Sequence, residues 1–565
     1  MNLVNLRLEI STIKFPMKKI LTLFLFIAIT SEAFAYNKYW IVFTDKNSTP
    51  YTIGNPSAYL SPRSIQRRTN QGIAITTYDL PVDPNYVSQV LATGTVVLNY
   101  KSKWMNAISI TTTDANALIA IAALPFVVNV SPVQRHAHPD NFSEDADEIP
   151  ATQNERQGNQ SLLSYNYGGS YGQVHQINVD CLHDLGFHGE GKIIAVLDDG
   201  FNNVNTIAAF DSIRLNNQIL GTYDFVAGVQ NVYGVGGHGT MCLSDMAANL
   251  PGQIIGTAPK ASYYLLRTEE AATEYIIEED NWVAGAEYAD SVGADIISTS
   301  LYYEQFDDAS QNHTYADMDG RTTVCAKAAI FTARVGMLTF ACAGNSGTSA
   351  WFYIGSPADA DSILAVGAVD ASGNLANFSS RGPSADGRIK PDISAMGVSA
   401  IVVNSSGTVT TASGTSFATP LSAGGAACLW QSSPSMNAMQ VRNSIQMSSS
   451  QWAAPDSLKG YGIPDYCLSN IILENPHQEI SPTNHFSVSP NPNNGEMTFS
   501  YSLSARKTGM IEIFDATGKL INSISVRSDE KNIHINETSL SEGIYFCRFV
   551  VDGEMISGEK ISVLK

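Results

Sequence analysis

A chain of 565 residues is too long for one ordinary hydrophobic core and predicts three or four domains. An apolar content of 44% against 15% charged residues excludes a largely disordered protein. A net charge of −20 with no long Lys/Arg run excludes nucleic acid as a partner, because that requires a basic footprint.

Lys18 and Lys19 precede an apolar run from Ile20 to Ile29, and Ala33-Phe34-Ala35 puts small residues where a signal peptidase reads them. The run is too short to span a bilayer. Residues 1–35 therefore read as an export signal, with Met17 the better start. No later segment reads as a transmembrane helix, so the mature protein is expected soluble outside the cytoplasm or held at a surface by other means. Residues 36–134 carry strand patterns at Tyr39–Phe43 and Ala107–Ile110, a helix capped by Asp114 and stopped by Pro125, and a strand at Phe126–Val130. They predict a small α+β domain. Residues 135–171 are polar and predict a linker and processing region.

From 172 to 472, apolar β-rich runs alternate with Ala-rich helical stretches, the pattern of a parallel sheet with helices on both faces. A linker at 473–484 follows. Residues 485–565 show short alternating strands with turns at Asn493-Asn494-Gly495 and Ala516-Thr517-Gly518, and predict a β-sandwich. The seven cysteines are scattered with no CxxC pair, so no zinc site is expected; their pairing is not legible and most read as small core residues.

Four motifs carry chemistry. The run Ile193-Ile194-Ala195-Val196-Leu197 leads straight into Asp198, at the carboxyl end of a buried strand where open α/β sheets gather functional groups. A turn cap is its plainer reading. Gly236-Gly237-His238-Gly239-Thr240 presents a histidine between glycines at the mouth of a small-residue helix. Gly414-Thr415-Ser416-Phe417-Ala418-Thr419-Pro420 puts Ser416 at a helix start, where free N–H groups point outward; an N-cap serine is the alternative, and Pro420 suits only a first turn. Ala343-Gly344-Asn345-Ser346-Gly347 ends an apolar strand with an amide that can donate to a developing oxyanion.

Together these blocks, in the order Asp, His, Ser, resemble the signature of subtilisin-like serine peptidases, the subtilase family. The likeness covers about residues 172–472. It implies a secreted serine endopeptidase acting through an acyl-enzyme, with Ser416 as nucleophile, His238 as general base, Asp198 orienting the imidazole and Asn345 in the oxyanion hole. It places Ser300, Leu301, Ala343 and Gly344 along the substrate. No cofactor is required. The acidic stretch with Glu304, Asp307, Asp308, Asp317 and Asp319 reads as a solvated loop, structural calcium being the alternative. Residues 36–134 resemble the inhibitor-type propeptide of that family. The tail, through Pro490-Asn491-Pro492-Asn493-Asn494-Gly495 and Ser541-Glu542-Gly543-Ile544-Tyr545, resembles the C-terminal sorting domain of the bacterial type IX secretion system. Expected partners are protein or peptide substrates, the propeptide itself and that export machinery.

Some positions depart from the family pattern. Asp199 replaces the usual Ser or Thr, and strand alternation predicts that it faces away from Asp198. Met241 replaces a histidine outside the triad. Ser300-Leu301-Tyr302-Tyr303 replaces Ser-Leu-Gly-Gly and is expected to alter subsite shape.

Overall fold

The computed structural model describes residues 36–135, 165–474, 486–501, 508–515, 519–527, 532–536, 540–551 and 554–564. The export signal and most of the processing region lie outside the described residues.

Residues 36–135 form a four-stranded antiparallel sheet in the order β2-β3-β1-β4, with β1 Tyr36–Phe43, β2 Val97–Ser102, β3 Ala107–Thr111 and β4 Val127–Arg135. Helices α2 (Pro84–Leu91) and α3 (Ala115–Ala122) pack on one face through Val87, Val90 and Ile121. Asp114 caps α3 by accepting from Asn116 N and Ala117 N. Helix α1 (Pro62–Asn70), α2 and β2 are additions to the sequence reading. Ser61 caps α1 and Pro62 opens it, but its buried residues include Arg67 and Arg68 rather than an apolar stripe.

The second layer is a seven-stranded parallel sheet in the order β11-β10-β9-β8-β5-β7-β6. Its strands are β5 Ile193–Asp198, β6 Ile219–Asp224, β7 Ser262–Arg267, β8 Ile296–Thr299, β9 Leu338–Cys342, β10 Leu364–Val369 and β11 Ile393–Met396. Side chains alternate between two cores along β5. Ile194 and Val196 meet α4 (His238–Ala247) and α7 (Thr415–Ser432), while Ile193, Ala195 and Leu197 meet α5 (Ile277–Val292) and α6 (Val324–Arg334). Burial on both faces explains why the strand reads as an unbroken apolar run. Each buried Ile, Val or Leu among them contributes about 1.5–3 kcal/mol. Tyr167 is fully buried in the first core, so the peptidase layer begins before residue 172. A disulfide joins Cys181 to Cys467, the two ends of this region; Cys242, Cys325, Cys342 and Cys428 are buried thiols.

The two domains meet along α5. Asp290 on that helix is fully buried and takes Arg67, Arg68 (2.9 Å) and Lys103 (2.6 Å); Arg68 also pairs with Asp79 at 2.7 Å. One turn earlier, Glu287 accepts from Ser102 Oγ (2.6 Å), Lys103 N (2.7 Å) and Trp104 N (2.9 Å), which closes the β2 end onto the helix.

Residues 474–565 form a separate unit. Its antiparallel strands make a three-stranded sheet (Phe486–Ser489, Glu496–Tyr501, Asn532–Asn536) and a four-stranded one (Leu520–Arg527, Thr508–Asp515, Gly543–Val551, Glu554–Val563). Phe486, Met497, Phe499, Ile511, Ile513 and Phe549 share its core. Among the described residues, no helix is long and apolar enough to cross a membrane.

Candidate active site

Asp198 ends β5 with its side chain wholly buried, and its Oδ1 accepts from His238 Nδ1 at 2.7 Å. That bond fixes the tautomer with the proton on Nδ1 and leaves Nε2 for the cleft. Gly239 permits the approach: a methyl there would sit 2.2 Å from Gly200 O and 2.8 Å from Asp198 Cβ. Burial works against a charged His238, but the Asp198 carboxylate and Cys242 together overcome it and raise the imidazole well above its ordinary value. Burial pushes the Cys242 thiol up to about 12, so it stays neutral and the carboxylate is the operative cause.

Asp199 corrects the sequence expectation. It follows the last residue of β5, where strand alternation no longer applies, and it is buried. Its carboxylate accepts from Gly239 N at 3.0 Å, with longer contacts from Gly237 N (3.3 Å) and His238 N (3.4 Å). Both carboxylates thus address the same loop, one through the imidazole and one through the first backbone N–H groups of α4. Burial and then Asp198 push the Asp199 carboxyl up to about 6.

Ser416 is the second residue of α7, where a backbone N–H has no partner inside the helix. Pro420 lies six residues into that helix, deeper than a first turn. Lacking an N–H, it leaves the Ser416 carbonyl without its helical donor. Ser300 Oγ donates to that carbonyl at 2.7 Å and the Cys242 thiol at 3.5 Å. The missing donor is therefore replaced by the strand end on one side and by Cys242, one turn after His238, on the other. The Ser416 hydroxyl donates to Ser300 O at 3.4 Å, a long bond easily exchanged by a turn about Cα–Cβ.

Asn345 follows β9. Its Oδ1 accepts from Thr415 N (2.9 Å) and Thr415 Oγ1 (3.0 Å), which settles the amide orientation because a backbone N–H can only donate. Nδ2 is left beside Gly414. His238, Ser300, Leu301, Asn345 and Ser416 line one cavity of about 240 Å³. Ala343 does not face it: its side chain is fully buried in the second core, its N–H donates to Val366 O at 3.0 Å and its carbonyl accepts from Gly355 N at 3.3 Å. Gly344 N bonds Thr415 Oγ1 at 3.3 Å and its carbonyl takes Ser380 N at 2.9 Å.

The sequence reading missed Thr415 as the anchor of Asn345, and Glu269 and Glu274 as cavity walls. Tyr303 donates to Glu269 at 3.0 Å, and burial pushes Glu269 up to about 7 and Glu274 up to about 9. The acids of the 304–319 stretch are spent locally. Glu304 accepts from Ser346 (2.8 Å), Asp307 from Glu274 N (3.1 Å), Asp308 from Ser310 (2.7 Å), Asp317 from Thr314 (2.7 Å) and Asp319 from Thr322 (3.0 Å).

Residues 189–462 match the subtilase family, residues 38–147 a peptidase S8 propeptide domain of the Bacteroidota, and residues 487–563 a secretion system C-terminal sorting domain. Subtilisin DY of Bacillus licheniformis is 32% identical over 276 residues, spanning 48% of this chain and 87% of that relative. Serine protease AprX and subtilisin E, both of Bacillus subtilis (strain 168), are each 31% identical, over 47% and 48% of this chain and over 63% and 64% of their own lengths.

Proposed function

We infer the roles of individual residues from a fixed premise: the chain belongs to the subtilase family and is a secreted serine endopeptidase made as a propeptide-bearing precursor. Ser416 Oγ attacks the peptide carbonyl while His238 Nε2 takes its proton, then returns it to the leaving amine. Asp198 holds the Nδ1–H and stabilises the imidazolium. Asn345 Nδ2 and Ser416 N bind the oxyanion, the amide contributing about 3–4 kcal/mol, the magnitude known for such a donor in subtilisin. Water then releases the acyl group by the same steps reversed. Nucleophile, base and oxyanion donors are all protein groups, so the chemistry as read needs no cofactor.

The observation that carries this reading is the 2.7 Å bond between His238 Nδ1 and Asp198, because it turns Nε2 to a cavity that Ser416 and Asn345 also line. A fluorophosphonate probe is expected to label matured protein once, and Ser416→Ala not at all. Labelling that survives the substitution would overturn the assignment.

Removal of the N-terminal domain is assigned to residues 135–171, and export to the type IX machinery acting on residues 485–565; the sorting-domain match supports the second. Protein recovered from the medium of a type IX-competent host is expected to start within 135–171, and a chain truncated after 484 to stay in the cells. A mature start at Tyr36, or secretion of the truncated chain, would refute the corresponding half.

A further inference from the structure

One wall of the cleft carries a side chain that the chemistry above does not use. Tyr302 lines the same cavity as Ser416 and Asn345. Its ring packs against two glycines: a methyl on Gly355 would meet it at 2.8 Å, and one on Gly344 at 3.1 Å. The slot around it is held from both sides. Tyr303 N donates to Ser356 O at 2.8 Å and Ser356 N to Tyr303 O at 3.1 Å, while Gly355 N donates to Ala343 O at 3.3 Å. Gly344 and Gly355, which carry no side chains, thus leave a slot in the cleft wall, and the chain's own tyrosine fills it.

The sheet order decides which part of a substrate meets this slot. Strand β8, which leads into Ser300, lies between β5 and β9. Asp198 and the imidazole it holds stand on the β5 side, Gly344 and Asn345 on the β9 side. The leaving nitrogen must face His238, which supplies its proton. The residue that donates the scissile carbonyl therefore extends toward β9, into the slot. We propose that Tyr302 sets the substrate specificity of this enzyme by filling that slot, so that the residue donating the scissile carbonyl must be small: glycine, alanine or serine. At its far end the phenol meets the Asn345 backbone and the Ser346 side chain, and Ser346 in turn donates to Glu304 at 2.8 Å. Burial, with Glu304 nearby, keeps the phenol neutral by pushing it up to about 12.

This inference rests on Ser416 being the nucleophile, and the test separates the two. Matured wild type, Tyr302→Gly and Tyr302→Ala are first titrated with a fluorophosphonate to count working sites. Each then digests a peptide library, and cleavage positions are read by mass spectrometry. Wild type is expected to favour Gly, Ala or Ser over Phe or Leu by at least tenfold in kcat/KM, and Tyr302→Gly to reverse that preference by a similar factor. Tyr302→Ala is expected between them and serves if the glycine variant does not fold. Wild type that cleaves after Phe or Leu as readily as after Ala would overturn the proposal. So would fully titrating variants with an unchanged profile. Wild type that fails to titrate would instead remove the nucleophile assignment, and this proposal with it.

Discussion

Asp198→Asn is expected to lower kcat about 10⁴-fold, with KM changed far less. The neutral amide is nearly isosteric, so the 2.7 Å contact with His238 can persist. An amide that donates through its NH₂ group, however, selects the opposite imidazole tautomer and puts the proton on the nitrogen facing Ser416. Loss of the charge also removes support for the imidazolium formed during attack. The pH profile carries the diagnostic sign. The base acts only when neutral, so wild-type kcat/KM rises as pH increases through the His238 pKa, which lies above the ordinary 6.5. In the variant, burial is no longer opposed by the carboxylate, and the acidic limb is expected at lower pH. Profiles of both proteins, with Ser416→Ala as the blank for contaminating activity, measure this. An acidic limb that does not move would mean that another group controls the base.

The proposed triad stood out in the sequence because each member sits in a stretch whose composition is forced: a buried strand ending in a carboxylate, a histidine between glycines, a serine opening a small-residue helix. The sheet was legible for a related reason, since burial on both faces demands continuous apolar runs. What escaped the sequence is what the fold assembles from afar. Glu269 and Glu274 follow β7 and reach the cleft only because β7 lies beside β5. Cys181 and Cys467 are 286 residues apart, and neither has a local signature. Helix α1 showed no apolar stripe because its inward face is cationic, matched to a carboxylate in another domain. Asp199 was misplaced because strand alternation was carried one residue past the end of the strand. Pro420 looked wrong for a helix interior because the donor that replaces its missing N–H, Ser300, comes from another element.

Asp290→Ala is expected to weaken docking of the N-terminal domain by about 3–5 kcal/mol, some 10² to 10³-fold or more in affinity. Three cations of that domain, Arg67, Arg68 and Lys103, converge on this one buried carboxylate; Arg68 has a second carboxylate, Asp79, whereas the further contacts of Arg67 and Lys103 are to uncharged oxygens, among them Val335 O and Ser291 Oγ. Removing the carboxylate strands buried positive charge, and the cost of an unpaired buried ion exceeds the net worth of the pair it came from. Asp290→Asn, which keeps a hydrogen-bond acceptor but not the charge, is expected to recover part of the loss. After cleavage in the processing region the two pieces are held only by such contacts, so gel filtration of cleaved precursor measures the effect as loss of co-elution. The sign with pH follows from the same cations. They hold Asp290 below the usual carboxylate range, so its contribution is fully present above the unfolded value of 3.8 and is lost only as pH falls through the lower folded value. Residues 36–135 contain no histidine. The cleaved complex is therefore expected to co-elute at pH 5.5 as at pH 7.5, which leaves proteolysis of the docked domain, rather than mild acid, as the step that removes it. Dissociation of wild-type complex at pH 5.5 would sink this account, and so would an Asp290→Ala complex that elutes unchanged.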